Sequence, residues 1–429
     1  MKKKVVLALL LFAFPLFAQD ESTSSSFQNH GSVIGELGTD TRADSFFNPD
    51  NALYMPPLHS RLVRLNDDFS ATLPYELGVN GKVALEWSGD ADSRVTRGQI
   101  RELYLTRSLG DFTVTAGRRI LKWTNGYAFA PAGVLDPPRN PADPQDRLGR
   151  LGGRDIAQVD WFRGDHTATL VYSFPFETRA GGGERVLAAR YNVLWKGVDF
   201  SAIAAIPSES PERLAFSASY VIGEALELHG ETSFQRGSDV ILPRAALLDD
   251  PRQLLGNDYF TGSDDDDVRM RVLIGANYTF RGGTNLVVEL YHTDEGLSAR
   301  EWNNFLAQSR YADSLRDDPR HQAPIRDGYT LPELNLLQGL SYLRAQEIRR
   351  DYGFVRVARA WRDQTLSTTA LALVNLHDGS FLVTPEASYT VRRQTSVYAR
   401  ATLFYGNERS QYGNVPTGQS FTVGVRRHF

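Results

Sequence analysis

The chain has 429 residues, of which 41% are hydrophobic and 23% charged, with a formal charge of -4 and a mean hydropathy of -0.34. That balance excludes a mostly disordered chain and a polytopic helical membrane protein, and it leaves no basic surface for nucleic acid. Cysteine is absent, which removes disulfides, thiolate metal sites and thiol catalysis, whereas 36 Gly, 18 Tyr and 23 Phe form a surplus that no long apolar run explains.

Residues 1–18 read as a secretory signal. Lys2, Lys3 and Lys4 form its charged start, Val5 to Phe17 its apolar stretch, and Ala18 its cleavage point. The apolar stretch is short for a membrane-spanning helix. Removing three lysines would take the formal charge from -4 to -7. Residues 19–429 are then the mature chain.

From there, short alternating segments recur to the C-terminus: 27–40, 61–74, 79–89, 97–108, 112–123, 154–163, 166–176, 185–195, 198–206, 212–222, 225–236, 268–280, 285–293, 350–361, 365–376, 381–391, 395–407 and 419–429. Period two places neighbouring side chains on opposite faces of a strand. Tight connections such as Leu109-Gly110-Asp111, Gly164-Asp165, Lys196-Gly197 and Gly223-Glu224 alternate with longer ones, notably 124–153, 237–267 and 294–348. This alternation predicts an all-β, single-chain transmembrane antiparallel β-barrel of eighteen strands, with sixteen as the alternative, having short periplasmic turns and long extracellular loops. A periplasmic β-sandwich is the competing fold.

Lipid tolerates apolar side chains and water tolerates polar ones, so each strand can be sided. Met270, Val272, Ile274 and Tyr278 would face lipid while Arg269, Arg271 and Asn277 face the lumen. Val397, Ala399 and Leu403 would point out, and Tyr398 and Arg400 in. Leu228 would point out, and Glu227, His229 and Glu231 in. Trp87, Trp123, Trp161, Trp195, Tyr278, Phe280 and Trp361 sit at segment ends, as interfacial girdles require. The last strand alternates Phe421, Val423, Val425, Arg427 and Phe429. Its terminal Phe429 resembles the sorting signal that the outer-membrane assembly machinery reads, which implies the bacterial outer membrane and its lipid as surroundings.

The stretch from Gly110 to Trp123, GDFTVTAGRRILKW, together with Glu102-Leu103-Tyr104-Leu105, resembles a hairpin of alginate-export-like and related porin-type outer-membrane proteins. Arg119 stands where that family often has Gln, and Thr124 where Gly often follows the Trp. The match covers about 100–163. It implies an eighteen-stranded barrel that passes a solute, without naming the solute.

A channel needs a wet lumen, a constriction and charges that favour the permeant. The loop 124–153 is the candidate constriction. Pro131, Pro137, Pro138, Pro141 and Pro144 would stiffen it, and Asp136, Arg139, Asp143, Asp146, Arg147 and Arg150 charge it with both signs. An external cap is the alternative for this loop. On the wall, Glu102, Arg119, Arg190, Arg269, Arg271, Arg356, Glu386 and Arg400 would line the pore. Strict alternation with Phe112, Val114 and Ala116 outward makes Arg119, not Arg118, the inner residue. These arginines either attract anionic solutes or form structural pairs with Glu86, Glu102, Glu289 or Glu386. In 294–348, Ser298 and Glu301 have capping-box spacing, and Trp302, Phe305 and Leu306 would share one helical face, as a lid or as an outer helix. Asp264 to Asp267 lack the spacing of a calcium loop and read as solvated.

No HExxH, GxSxG or Walker A pattern occurs, so no enzyme, metal or cofactor is expected. The expected function is a channel for small polar or anionic solutes. A receptor or scaffold barrel and a barrel-embedded hydrolase are the alternatives.

Overall fold

The computed structural model describes residues 26–90, 93–175, 184–238, 240–256, 258–262, 266–343 and 347–429. The expected signal 1–18 and part of the acidic run, Asp264 and Asp265, lie outside these residues.

Eighteen strands form one closed antiparallel sheet. In chain order they are β1 (Ser26–Arg42), β2 (His59–Leu73), β3 (Leu77–Gly89), β4 (Arg94–Leu109), β5 (Phe112–Arg119), β6 (Arg154–Arg163), β7 (His166–Ser173), β8 (Val186–Trp195), β9 (Val198–Pro207), β10 (Arg213–Ile222) and β11 (Leu226–Arg236). They continue as β14 (Val268–Thr279), β15 (Thr284–Thr293), β16 (Asp351–Trp361), β17 (Leu366–Asn375), β18 (Phe381–Arg392), β19 (Thr395–Tyr405) and β20 (Thr417–His428). Each pairs with its neighbour in this order, and β20 pairs with β1 to close the hoop. The sixteen-strand alternative is thereby excluded. The remaining short strands, β12 (Leu242–Pro243) and β13 (Phe260–Thr261), pair only with each other, above the barrel.

All tight turns fall on the side of the two termini. The Lys196–Gly197 turn has φ of 50° and 83°, the twist that joins two strands without splaying them. A strand of ten residues tilted at about 40° rises ~25 Å, enough for the apolar band of an outer-membrane barrel. Val63, Leu105, Leu170, Ile206, Ile274 and Val423 are exposed on the outer face. Water would not tolerate so continuous a belt, and a bilayer requires it. Trp87, Trp195, Tyr278, Phe280 and Trp361 are also exposed, at strand ends.

Two expectations at one place need correction. The segment 112–123 does not run as one strand, because β5 stops at Arg119. Gly117 has φ of 124°, and a Cβ there would meet the Leu103 carbonyl at 2.4 Å. The chain then turns into the lumen, so Trp123 is only 5% exposed and sits inside the barrel, not in a girdle.

The buried cores lie inside and above the hoop. One joins Leu121, Trp123, Val134 and Leu135 of the long third loop to inward residues such as Ile156, Val171 and Ile203. A second joins Phe129 to Leu273, Tyr291, Phe354 and Leu371. A third forms a cap on the loop side. It packs Phe47, Ala245 and Tyr259 against Trp302, Phe305, Leu306 and Leu340. The cap contains α1 (Arg244–Leu247), α2 (Ala299–Ser314) and α3 (Leu331–Leu343). As the spacing predicted, Ser298 and Glu301 form a reciprocal capping box at the start of α2, and its Trp302, Phe305 and Leu306 are buried together.

Candidate functional site

Eighteen strands spaced about 4.8 Å apart and tilted ~40° make a hoop roughly 36 Å across between backbones. Such a hoop is far wider than a small solute, so selection depends on what narrows it. Residues 120–153 do this by folding inward.

The loop is held by the wall at every stage of its path. Ile120 donates its N–H to Glu102 Oε1 at 2.8 Å. Asn125 and Gly126 donate to Glu231 Oε1 at 2.6 and 2.7 Å, and Ala132 donates to its Oε2 at 3.2 Å. Tyr127 and Ala128 donate to the two oxygens of Glu289, Ala128 at 2.8 Å. His229 Nε2 lies 3.0 Å from Glu289 Oε1. Phe129 stacks on Tyr291 with ring centroids 4.4 Å apart. Two buried carboxylates thus satisfy five backbone donors that a loop inside a barrel would otherwise leave unpaired.

The loop also braces itself. Asp136 accepts from the Trp123 N–H at 2.8 Å and from Thr124 Oγ1 at 2.7 Å. Arg139 donates to Thr124 Oγ1 at 2.6 Å, and to the Gly126 carbonyl. On its return, Arg147 pairs with Asp143 at 2.7 Å and with Glu386 of β18, while Arg426 of β20 donates to the Arg147 carbonyl at 2.7 Å. Burial opposes the charge of Arg147, but Asp143 and Glu386 outweigh it, and its pKa lies above the ordinary guanidinium value. Arg101 of β4 donates to the Leu151 carbonyl at 2.9 Å and pairs with Asp146 at 3.3 Å. Arg150 and Arg64 share Glu86 of β3, at 3.1 and 2.9 Å. These contacts tie the loop to β2, β3, β4, β11, β15, β18 and β20.

The wall residues named from the sequence all occupy inward positions. Glu102 is taken up by Lys82 at 2.8 Å and by the loop. Arg271 is paired with Glu295, its Nε 2.6 Å away. Arg400 lies 3.4 Å from Glu36 and 3.8 Å from Glu386. Arg269 stands opposite Gln235 in register. Arg119 lies over the Tyr104 ring at 5.2 Å, inside the barrel, whereas Arg118 faces out and forms a two-pronged bond with Asp155 at 2.8 and 2.7 Å. Arg190 donates to Ser201 Oγ at 2.9 Å. Arg356 donates to Asn285 at 3.1 Å and lies 5.2 Å from the Tyr127 ring.

An asymmetry follows. Glu36, Glu86, Glu102, Glu231, Glu289 and Glu386 are each held by cations or by backbone donors. Arg119, Arg154, Arg190, Arg356 and Arg426 face inward, and none has a carboxylate within ion-pair distance among the described residues. Arg154 stands beside Arg119 in register on β6.

Sequence reasoning missed Arg154 and Arg426, and missed Glu231 and Glu289 as loop anchors. A signal existed. Stretches such as Ala202-Ile203-Ala204-Ala205-Ile206 and Ala370-Leu371-Ala372-Leu373-Val374 are apolar on both faces. A strand facing water inside would not be, so these runs mark where the loop packs. Among the described residues no group of three His, Asp or Glu is arranged to hold a metal ion.

No family model matches the chain, and no curated protein matches it. Solved structures do. OccAB1 of Acinetobacter baumannii is 10% identical, with a TM-score of 0.53 over 94% of this chain and 96% of that one. OccK11 (OpdR) of Pseudomonas aeruginosa is 11% identical, with a TM-score of 0.50 over the same shares, 94% and 96%. At such identity the likeness concerns the fold. The chain is a closed barrel with the fold of bacterial outer-membrane porins.

Proposed function

We propose that the barrel is an outer-membrane channel through which small polar solutes diffuse, with a preference for anions. One observation carries this reading: Glu36, Glu86, Glu102, Glu231, Glu289 and Glu386 are held by cations or backbone donors, whereas five inward arginines have no carboxylate within ion-pair distance among the described residues. The inward Asp160, Asp199 and Glu227 meet only neutral partners and offset part of that excess. A unit anion 4 Å from a guanidinium gains about 1 kcal/mol in bulk water and about 4 kcal/mol at an effective dielectric constant of 20. The narrowed lumen lies between these limits. Arg356 touches Tyr127 of the loop, and Arg426 touches the loop backbone, so two of the five cations border the constriction itself. The roles expected of Glu102, Arg269, Arg271, Glu386 and Arg400 divide accordingly. The paired residues shape the pore, and the unpaired arginines attract the solute. The hairpin resemblance to alginate-export-like proteins extends the proposal to export as well as uptake.

The test is planar-bilayer conductance under a salt gradient. The wild type is expected to carry current with a reversal potential favouring anions, more so at 0.1 M salt or below, where the Debye length reaches about 10 Å. The double substitution Arg190→Ser with Arg356→Ser should lower the anion-to-cation permeability ratio about threefold, equivalent to ~0.7 kcal/mol. Arg271→Ser with Glu295→Gln, which removes both charges of an ion pair, should leave the ratio near that of the wild type. A folded protein without current would reject the channel and leave the cap to a receptor role.

A further inference from the structure

On the outer face, at the loop-side rim, Arg61, Arg94, Arg118 and Arg236 point toward lipid. Arg118 is paired with Asp155 and Arg236 with Asp266. Arg61 and Arg94 are exposed and have no carboxylate partner among the described residues. They flank a single strand. Arg61 of β2 and Arg94 of β4 both stand in register with Gly89 of β3, so their backbones are about 10 Å apart, two strand spacings. Gly89 puts no side chain between them. The next outward residue of β3, Trp87, is 43% exposed just below.

An apolar groove of about 800 Å³ runs away from Arg61 across the outer surface. Leu37, Val63, Val397 and Val425 line it, and the small side chains of Ala387 and Ala399 open its middle. Ala387, Ala399, Val423, Leu37 and Arg61 of the groove stand in one cross-strand row, which continues beyond the groove to Thr368. Thr368 is near the turn-side end of β17 and Arg61 near the loop-side end of β2, so the row climbs the barrel toward the two arginines. Charge lies at the top, at headgroup depth, and apolar surface lies below.

We infer that this surface binds a phosphorylated glycolipid of the outer leaflet, its phosphate between Arg61 and Arg94, its sugar against Trp87 and an acyl chain in the groove. Guanidinium forks match phosphate oxygens, and a cation beside a leaflet surface attracts anionic headgroups. The site faces away from the lumen and is independent of conduction.

The experiment counts bound lipid by native mass spectrometry of the folded full-length chain in detergent. The probes are hexa-acylated lipid A and the same molecule without phosphates. One lipid A per chain should be retained, and the dephosphorylated form about thirtyfold less well. Arg61→Gln with Arg94→Gln should weaken retention by a similar factor. Val63→Trp, which keeps both charges and fills the groove, should also weaken it, and Arg359→Gln, an outward arginine on the turn side, should not. Heat-modifiable migration on gels checks that each variant is folded. Equal retention of the two probes, or equal retention by the wild type and the double variant, would overturn the inference.

Discussion

Glu231 and Glu289 show what a lumen carboxylate is for in this barrel. Each spends its oxygens on backbone N–H groups of residues 125–132, which water would solvate if the loop were outside. An amide in place of one of them would turn a donor toward donors. Glu289→Gln is therefore expected to cost about 1–3 kcal/mol of stability and to loosen the loop at Tyr127 and Ala128. Thermal unfolding should show the loss, and single-channel records should show a noisier open level. A quiet trace from the variant would mean that the stacked Phe129 and Tyr291 hold the loop unaided. The same residue-level view separates the arginines. Arg271 beside Glu295 is part of the wall, while Arg356, bonded to Asn285, keeps its charge available, and Arg190, bonded to Ser201, lies in the field of Asp199, Asp136 and Asp160 without pairing with any of them.

At the scale of elements, two segments depart from plain alternation, and both carry the loop side. The first is β5, which ends at Arg119, two residues after the left-handed Gly117, beyond which the third loop runs inward. The second is the stretch after β15, where α2 begins on the Ser298–Glu301 box. Its N–H groups have no partner from a previous turn, so the box supplies them. Ser298→Ala should destabilise the start of α2 by about 1 kcal/mol. Hydrogen exchange over 298–303 would rise while exchange in β15 and β16 stays unchanged. Faster exchange in those strands as well would show that the cap and the barrel open as one unit.

For the whole molecule, closure is the organising fact. β20 returns to β1, and Gly31 and Phe429 exchange backbone hydrogen bonds at 3.0 Å in each direction. A Cβ at position 31 would strike the Phe429 ring at 2.0 Å, so glycine leaves the seat for that ring. Without closure both edge strands would expose unpaired backbone groups to lipid, at several kcal/mol each. Deleting Phe429 is expected to reduce the folded, heat-modifiable fraction in outer membranes several-fold, through weaker recognition by the assembly machinery and a poorer seam. An undiminished folded fraction would remove Phe429 from both roles. The negative mean hydropathy fits the same architecture, since alternate strand residues face a wet interior and the loops are polar.

The strand count to within two, the position of each strand and the inner or outer side of nearly every wall residue could be read from period two, because lipid on one face and water on the other impose opposite demands on adjacent positions. Arg119 inside with Arg118 outside, and the helical face of Trp302, Phe305 and Leu306, were legible for the same reason: local geometry alone decides them. The loop's path was not. Trp123 could equally have closed a girdle, and Glu289 could have paired with an arginine. Which arginines stay uncompensated depends on contacts across more than a hundred residues, such as Tyr127 to Glu289 and Arg147 to Glu386. Only the closed barrel brings those groups together, because a carboxylate pairs with whatever donor the folded chain delivers to it. The sequence by itself determined a membrane barrel of eighteen or sixteen strands, and closure of the sheet fixed eighteen. The tertiary structure decided where it narrows and which of its charges remain free.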